Sequence, residues 1–577
     1  MTYELNGYIL PCMTNNYSIK QVAKRLGVHE DTLRNWEDQG LIKPLRVGKR
    51  QDRKYTDEII NIIIEKGLAH PILSLDKDAP EKKEKMKLSE LQSFLWKSAD
   101  ILRGKIDSGD YKTYIFGLLF YKRISDMWDE EYEDILAKFH DEELARADYN
   151  HKFQVPKDCS WREMQKEAVN IGSKLNDVFD KLTTANTPKL DKIFNNLNFA
   201  DKDRFPNETT QRLINHFSKY NFGNTYINSD ILGDAYEYLI KQFASDAGKK
   251  GGEFYTPREI ERVIIKIIKP DAKSHVNDPT CGSGGFLLEA YHYVREKFGD
   301  KEARKMYLSG QEINIGSYAI SKINMFLHGL ESTDIRRGDT LADPQFLDKA
   351  GKIQTFSHVV ANFPYSIKEW EWETFTHDKH GRTDGYELPP QKNADYAFIL
   401  HIIKSLNENG RAGIVVPHGV LFKSDTSGRI REQILKNDLI EAVIAMPANL
   451  FSGVGIPVAL VILNKAKAPN HKNKILFIDA ESDYQEGKNQ NSLRNQDIEK
   501  IVEAFDNWRD VEKYARVIDM KEIEENDYNL NVRRYIDSSE IEEVINVSVV
   551  WKELKQIEKE KEEINKKVEG YLKELKY

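Results

Sequence analysis

From Lys249 onward the chain alternates short apolar runs with amphipathic stretches: HVNDPT, FLLEAYHYVREKF, KMYLSGQEI, SYAISKINMFLHGL, SHVVANFPY, DYAFILHIIKSL, AGIVVPHGV and LIEAVIAMP. Short apolar runs have the length of strands, and apolar residues at three and four spacing line one face of a helix. Strand and helix taking turns at that rhythm predict a doubly wound, mostly parallel sheet, because parallel neighbours need a crossover and a helix supplies it. ALVILNKA and KILFIDA close the sheet and are expected to form a hairpin at one edge.

One core cannot serve a chain of 577 residues, so several domains are expected. Residues 91–248 read as an all-α domain, because LQSFLWKSADILRGKI, YIFGLLFYKRISDMWDEEYEDILAKF and DILGDAYEYLIKQFA each carry helical periodicity. The charged stretch 71–90 is a linker ahead of it, and 249–537 is the α/β domain. At the far end, 538–577 has apolar residues near heptad spacing in a charge-rich background, the pattern of a long helix that pairs with a partner.

Residues 1–70 hold a small unit whose centre, 17–56, reads as helix, turn, helix. Ile19, Val22, Ala23 and Leu26 share one face, Gly27 breaks the helix, and Val28 to Trp36 restart it. The second helix is expected to offer Asp31, Thr32, Arg34 and Asn35 to a groove, followed by Lys43, Arg46, Lys49, Arg50, Arg53 and Lys54 against the single acid Asp52. This resembles the winged helix-turn-helix of the MerR family, which implies DNA binding with a basic wing on phosphates. A net charge of −8 does not oppose that, since a nucleic-acid enzyme needs only a local basic surface.

No run of about 20 apolar residues appears, and the opening MTYELNGYIL lacks a charged leader before an apolar core. A cytoplasmic location without membrane contact is therefore expected. Three cysteines make a disulfide framework implausible and give no Cys-x-x-Cys spacing, so no metal is expected. Cys281 reads as a small residue that fits its turn.

The chemistry centres on Asp278-Pro279-Thr280-Cys281-Gly282-Ser283-Gly284-Gly285-Phe286, which follows a strand and opens a helix. Gly282, Ser283, Gly284 and Gly285 let the chain turn tightly and a ligand approach the backbone at the sheet's crevice. Glu312 ends the next strand, where a carboxylate accepts both hydroxyls of a ribose, and Asp339 follows the third, where an adenine amino group would arrive. Together they describe an adenosine pocket. A phosphate would be repelled by Asp278, and no Lys-Ser/Thr closes the turn, so a cofactor with a cationic sulfonium and an amino-acid tail fits better.

The fourth strand runs into Asn362-Phe363-Pro364-Tyr365. With the motifs before it, this resembles the N6-adenine DNA methyltransferase family, in particular the modification subunit of type I restriction systems, over about Leu91 to Tyr535. The resemblance implies a Rossmann-like domain using S-adenosylmethionine and a catalytic tetrapeptide. The Asn362 side-chain oxygen and the Phe363 carbonyl would accept the two N–H bonds of an adenine amine, freeing its lone pair, while Tyr365 stacks on a flipped base. The family usually has proline where Phe363 stands, which gives up the stiffness of a double proline. Glu253, Phe254, Tyr255, Thr256, Pro257 and Arg258 resemble the segment covering the methionine end of the cofactor. An aromatic there would face the sulfonium; Arg258 would pair with the cofactor carboxylate or sit in a first helical turn, and Thr256-Pro257 also reads as an N-cap and first helical position. The implied partners are double-stranded DNA, a specificity subunit and a restriction subunit. Two alternatives stay open: methylation of RNA or a protein glutamine, and a catalytically dead DNA-binding regulator with Phe363 as its lesion.

Overall fold

Among the described residues nine strands form one sheet, and the place where their order reverses decides where a ligand can sit. The computed structural model describes residues 16–26, 30–38, 40–47, 52–56, 59–60, 62–63, 86–106, 108–246, 255–451, 457–488, 490–537 and 547–574. Three short strands at the N-terminus are β1 (Asn16–Ser18), β2 (Leu45–Val47) and β3 (Asp52–Thr56). The large sheet comprises β4 (His275–Asp278), β5 (Tyr307–Glu312), β6 (Asp334–Arg337), β7 (Phe356–Asn362), β8 (Leu406–Pro417), β9 (Ile440–Ala445), β10 (Val458–Asn464), β11 (Lys474–Asp479) and β12 (Ala515–Asp519).

Their order is β12-β11-β9-β10-β8-β7-β4-β5-β6. From β6 through β8 every pairing is parallel. The chain leaves β4 for β5 and β6 on one side and returns to β7 on the other, so β4 is the switch point outside whose carboxyl end sheet ligands bind. Helices cover both faces. Val360, Val415, Ile444 and Ile462 pack to one core with the helix Arg258–Ile268. Their neighbours Val359, Ile414, Val443 and Val461 pack to the other with the helix Asp395–Ser405. Burial on both faces explains why these strands read as continuous apolar runs.

The expected edge hairpin does not form. β10 lies antiparallel between β8 and β9, whereas β11 pairs in parallel with the far side of β9. Both runs are almost wholly buried, which suits interior strands, and the polar segment between them carries the chain past β9. The edge is β12, antiparallel to β11, a strand that the sequence reading did not identify.

Ahead of the sheet, the helices Leu88–Leu102, Ser108–Phe139, Ile171–Ala185, Asn207–Phe217 and Ser229–Asp246 enclose an aromatic-rich core. That core also takes in Ile320, Ile323 and Leu327 from the helix Ile315–Leu327 of the α/β unit, and Tyr236 donates its hydroxyl to the Ile320 carbonyl at 3.1 Å. The helical and α/β units thus share buried surface.

At the N-terminus the helices Ile19–Leu26 and Glu30–Asp38 pack over the sheet β1-β3-β2 around Val22, Leu33, Trp36 and Tyr55. Gly27 and Val28 lie outside the described residues. The C-terminal helix Val547–Glu574 leaves Val550, Leu554, Ile557, Ile564, Val568 and Tyr571 exposed, a heptad stripe interrupted by Lys561. Among the described residues no helix is long and apolar enough to cross a membrane.

Candidate active site

The loops after β4, β5 and β6 are stitched to one another by the residues that the sequence singles out. The Cys281 N–H donates to the Gln311 carbonyl at 2.9 Å and the Gly338 N–H to the Glu312 carbonyl at 3.1 Å. The Thr340 hydroxyl donates to the Pro279 carbonyl. Gly284 has φ +83° and a Cβ there would come within 2.9 Å of Met325; one on Gly285 would reach 2.1 Å from a Glu261 oxygen. Asn324 holds the Ser283 carbonyl at 3.0 Å, and Cys281 fills a buried gap beside Ser321.

Glu312 accepts the Gly282 N–H at 3.0 Å on one oxygen and the Asn314 N–H at 2.7 Å on the other. A carboxylate offers about four acceptor positions, so both oxygens retain capacity for a further pair of hydroxyls. Asp339 accepts the N–H groups of Leu341 and Ala342 at 2.8 and 3.1 Å. Asp278 is buried and accepts the Thr280 N–H at 3.0 Å. Burial, with repulsion from Glu312, pushes its carboxyl up to about 8. Burial also raises Glu312, against the pull of backbone N–H groups, and raises Glu261 well above the carboxylate range. The turn is therefore lined by acids whose charged forms are short of cations.

β7 ends at Asn362, and its parallel neighbour β4 leads into the glycine turn. The Asn362 amide donates to the Thr256 hydroxyl at 3.0 Å, and its oxygen accepts the Tyr365 hydroxyl at 2.6 Å. Tyr365 thus leans on Asn362, and burial raises its phenol. The Phe363 ring is buried and lies parallel to Phe398, with centroids 5.2 Å apart. After Pro364, Ser366 has φ +56°, and its N–H is held by Asp395 at 2.7 Å. The tetrapeptide is pinned on both sides of Pro364 by packing and by a carboxylate.

Thr256 is not an N-cap. The helix begins at Arg258 with Pro257 as its cap and no side-chain cap bond. A residue before proline is pushed out of the helical region, which leaves the Thr256 hydroxyl free to reach Asn362. Tyr255 packs against the helical core, and its phenol is raised by burial. Arg258 sits in the first helical turn, 3.0 Å from Glu237 and 3.3 Å from Glu289, and donates to His292 at 3.1 Å. It is engaged with neighbouring acids rather than turned to an incoming carboxylate. Asp234, Glu237 and His328 also converge within ligating distance, but the guanidinium of Arg258 already supplies the positive charge there. Glu253 and Phe254 lie outside the described residues.

Glu261, Asp395 and Phe398 were missed. Glu261 in REIERV looks like any surface acid on a helix, and only the fold buries it; the Asn393-Ala394-Asp395 turn before a helix was the one available signal for Asp395.

In the N-terminal unit Thr32 faces inward instead of toward a groove: it is fully buried, and its hydroxyl lies 3.4 Å from the Lys166 carbonyl. Helical spacing places it beside Leu33 and Trp36 on the core side. Arg34 pairs with Glu30 at 3.2 Å, while Arg53 at 2.5 Å and Arg46 share Glu37. Lys54 is half-buried on β3 and Asn35 lies in the second helix; Lys49 and Arg50 lie outside the described residues.

Residues 227–544 match the family of N-6 DNA methylases. The chain belongs to that family. The methylase also matches the HsdM N-terminal domain over residues 91–218 and the MerR helix-turn-helix family of regulatory proteins over 17–63. It is similar to the type I restriction enzyme MjaVII methylase subunit of Methanocaldococcus jannaschii, 32% identical over 82% of each chain. The MpnII methylase subunit of Mycoplasma pneumoniae is 28% identical over 86% of this chain and 98% of that one. Among solved structures, the type I restriction-modification methyltransferase subunit from Streptococcus thermophilus superposes with a TM-score of 0.68 at 31% identity, covering 78% of this chain and all of that one. The α/β architecture behind an all-α unit is that of the type I methylase subunits.

Proposed function

We propose that this methylase is a site-specific, adenine-specific DNA methyltransferase that uses S-adenosylmethionine and serves as the modification subunit of a type I restriction system. The observation that carries this reading is a pair of neighbouring strand ends: Asn362, whose amide oxygen can accept an amine proton, closes β7, and the parallel neighbour β4 leads into the turn where Gly282 donates to Glu312. The surplus of buried acids supports the cofactor, since a sulfonium or an ammonium beside Asp278 and Glu261 would let them ionise, as a phosphate would not.

When bound, S-adenosylmethionine supplies an electrophilic methyl group on sulfur. The chain does the rest. Glu312 takes the ribose hydroxyls on its free lone pairs and Asp339 the adenine amino group. The backbone at Ser283, Gly284 and Gly285 lets the amino-acid tail lie close, and Glu253 to Arg258 cover it. An exocyclic adenine amine is a poor nucleophile because its lone pair is delocalised. The Asn362 oxygen and the Phe363 carbonyl would accept its two N–H bonds and leave the lone pair free to react. Tyr365 moves off Asn362 to stack on the flipped base, with Pro364 fixing the bend between them.

The dead-regulator alternative rested on Phe363. Its ring is locked against Phe398, so packing restores the stiffness that a second proline would give, and this favours an active enzyme. We assign DNA contact to 1–70 through Arg34, Asn35, Lys49, Arg50, Arg53 and Lys54, and helical, catalytic and subunit-docking roles to 91–248, 249–537 and 538–577. The exposed heptad stripe of the last helix suits docking of a specificity subunit, with a restriction subunit joining for cleavage. The test is transfer of labelled methyl to DNA with and without the specificity subunit, followed by nucleoside analysis. N6-methyladenine only with the partner supports the reading; cofactor binding with no methylated DNA refutes it.

A further inference from the structure

An asparagine that must present oxygen to an amine has a geometric difficulty that an aspartate does not. Its carboxamide can turn over about the last side-chain bond, and in the wrong orientation the NH2 faces the incoming NH2, two donors in place of a donor and an acceptor. Something must hold the amide. In this structure the Asn362 nitrogen donates to the Thr256 hydroxyl at 3.0 Å, and the oxygen, turned the other way, accepts the Tyr365 hydroxyl at 2.6 Å. A phenol donates in this bond, as an amine would, so Tyr365 shows which atom of Asn362 is open to a donor. Thr256 lies 106 positions from Asn362 in the chain, on the segment that enters the helix Arg258–Ile268, and Pro257 (φ −57°) keeps it outside the helix.

We propose that Thr256 is a positioning residue for the acceptor half of the reaction: its hydroxyl locks the Asn362 carboxamide with the oxygen toward the target amine, so the segment over the cofactor also sets the acceptor atom. This rests on the methyl-transfer reading above and adds to it a duty for Thr256 that is separate from holding the cofactor. The bond also ties the donor side of the site to the acceptor side, because Thr256 precedes the helix packed under the glycine turn while Asn362 ends β7.

The test uses the full chain with its specificity subunit, and reads kcat and the KM for S-adenosylmethionine. Thr256→Val keeps the shape and removes the acceptor; loss of a group that orients a reacting residue costs roughly 10- to 100-fold in turnover, a loss in kcat larger than any change in the cofactor KM. Thr256→Ser restores the hydroxyl and the rate. In an Asn362→Asp background the carboxylate has two equivalent oxygens and no orientation to lose, so adding Thr256→Val costs less than it does in the wild type. The inference is overturned if Thr256→Val keeps wild-type kcat, if it changes only the cofactor KM, or if Thr256→Ser is as damaged as Thr256→Val. The wild-type reaction run alongside separates the two levels: no N6-methyladenine from wild type sinks the functional reading and this inference with it, whereas active wild type with an indifferent Thr256→Val sinks the inference alone.

Discussion

Cofactor binding by this methylase should release a proton, and the buried acids set how much. Asp278 titrates at about 8 because it is buried beside Glu312. At pH 7 such a carboxyl is ionised in roughly one molecule in ten. A cationic cofactor needs the ionised form, so its affinity at pH 7 stands roughly tenfold below the alkaline limit, and should climb by about that factor between roughly pH 7 and 9. Close to one proton per cofactor leaves at pH 7. The same shift makes the free protein less stable as pH rises. The folded-state carboxyl binds its proton up to about 8 and the unfolded one only to about 3.8, so this contribution is fully present below pH 3.8 and is lost on the way to 8, with an upper bound of about 6 kcal/mol. Calorimetry in two buffers of different ionisation enthalpy counts the proton, and Asp278→Asn assigns it, since Glu237, which burial lifts to about 7, and Glu312 remain in the variant. Affinity that is flat from pH 6.5 to 9 with no proton release, or an unchanged slope in Asp278→Asn, would refute the electrostatic account of the pocket.

Asn362→Ala should abolish methyl transfer and leave cofactor affinity nearly intact, because on the proposed reading its oxygen serves the acceptor; a large loss of affinity by calorimetry would remove it from that role. Glu312→Ala should weaken cofactor binding by about 1 to 3 kcal/mol, and unchanged affinity would exclude the ribose contact. Phe363→Ala empties the space against Phe398 and should destabilise the fold by about 3 to 5 kcal/mol; a chemical denaturation midpoint indistinguishable from wild type would mean that the ring is not what stiffens the tetrapeptide.

The parts of this molecule that could be read in the sequence are those where chemistry and period speak together. The glycine turn and Glu312 come where an apolar run stops, which makes a strand end legible, whereas Asp339 follows β6, whose Asp334-Ile335-Arg336-Arg337 holds a single apolar residue, and was legible only by its order after the other two motifs. Asn362 was legible because the apolar run of β7 stops there. What period cannot express is which neighbour a buried strand takes. β10 and β11 look alike, and nothing local says that one runs antiparallel inside the sheet and the other crosses to the far side of β9. Side chains whose duty is to touch a distant element were equally silent. Thr256 reads as a cap by its distance from the helix start, yet its partner is Asn362; Thr32 reads as a groove contact by its place on the second helix, yet it is buried against Lys166.

The two halves of the site belong to different faces of the sheet, which bears on how such an enzyme keeps a reactive methyl group and a target base in line. The glycine turn is held from one face, by Met325, Glu261 and the helix Arg258–Ile268, whereas Phe363 and Asp395 anchor the acceptor tetrapeptide in the core on the other. Tyr365 packs against both cores. Each half is rigid through its own packing, so their relative position depends on the sheet between β4 and β7 and on the few bonds that cross the rim. Misplacing reacting atoms by about 1 Å costs on the order of a hundredfold in rate, which is why a single hydroxyl bridging Thr256 and Asn362 can matter as much as a residue that touches substrate. On the proposed reading the Phe363 carbonyl needs a fixed place, and the ring stacked on Phe398 helps to hold it there.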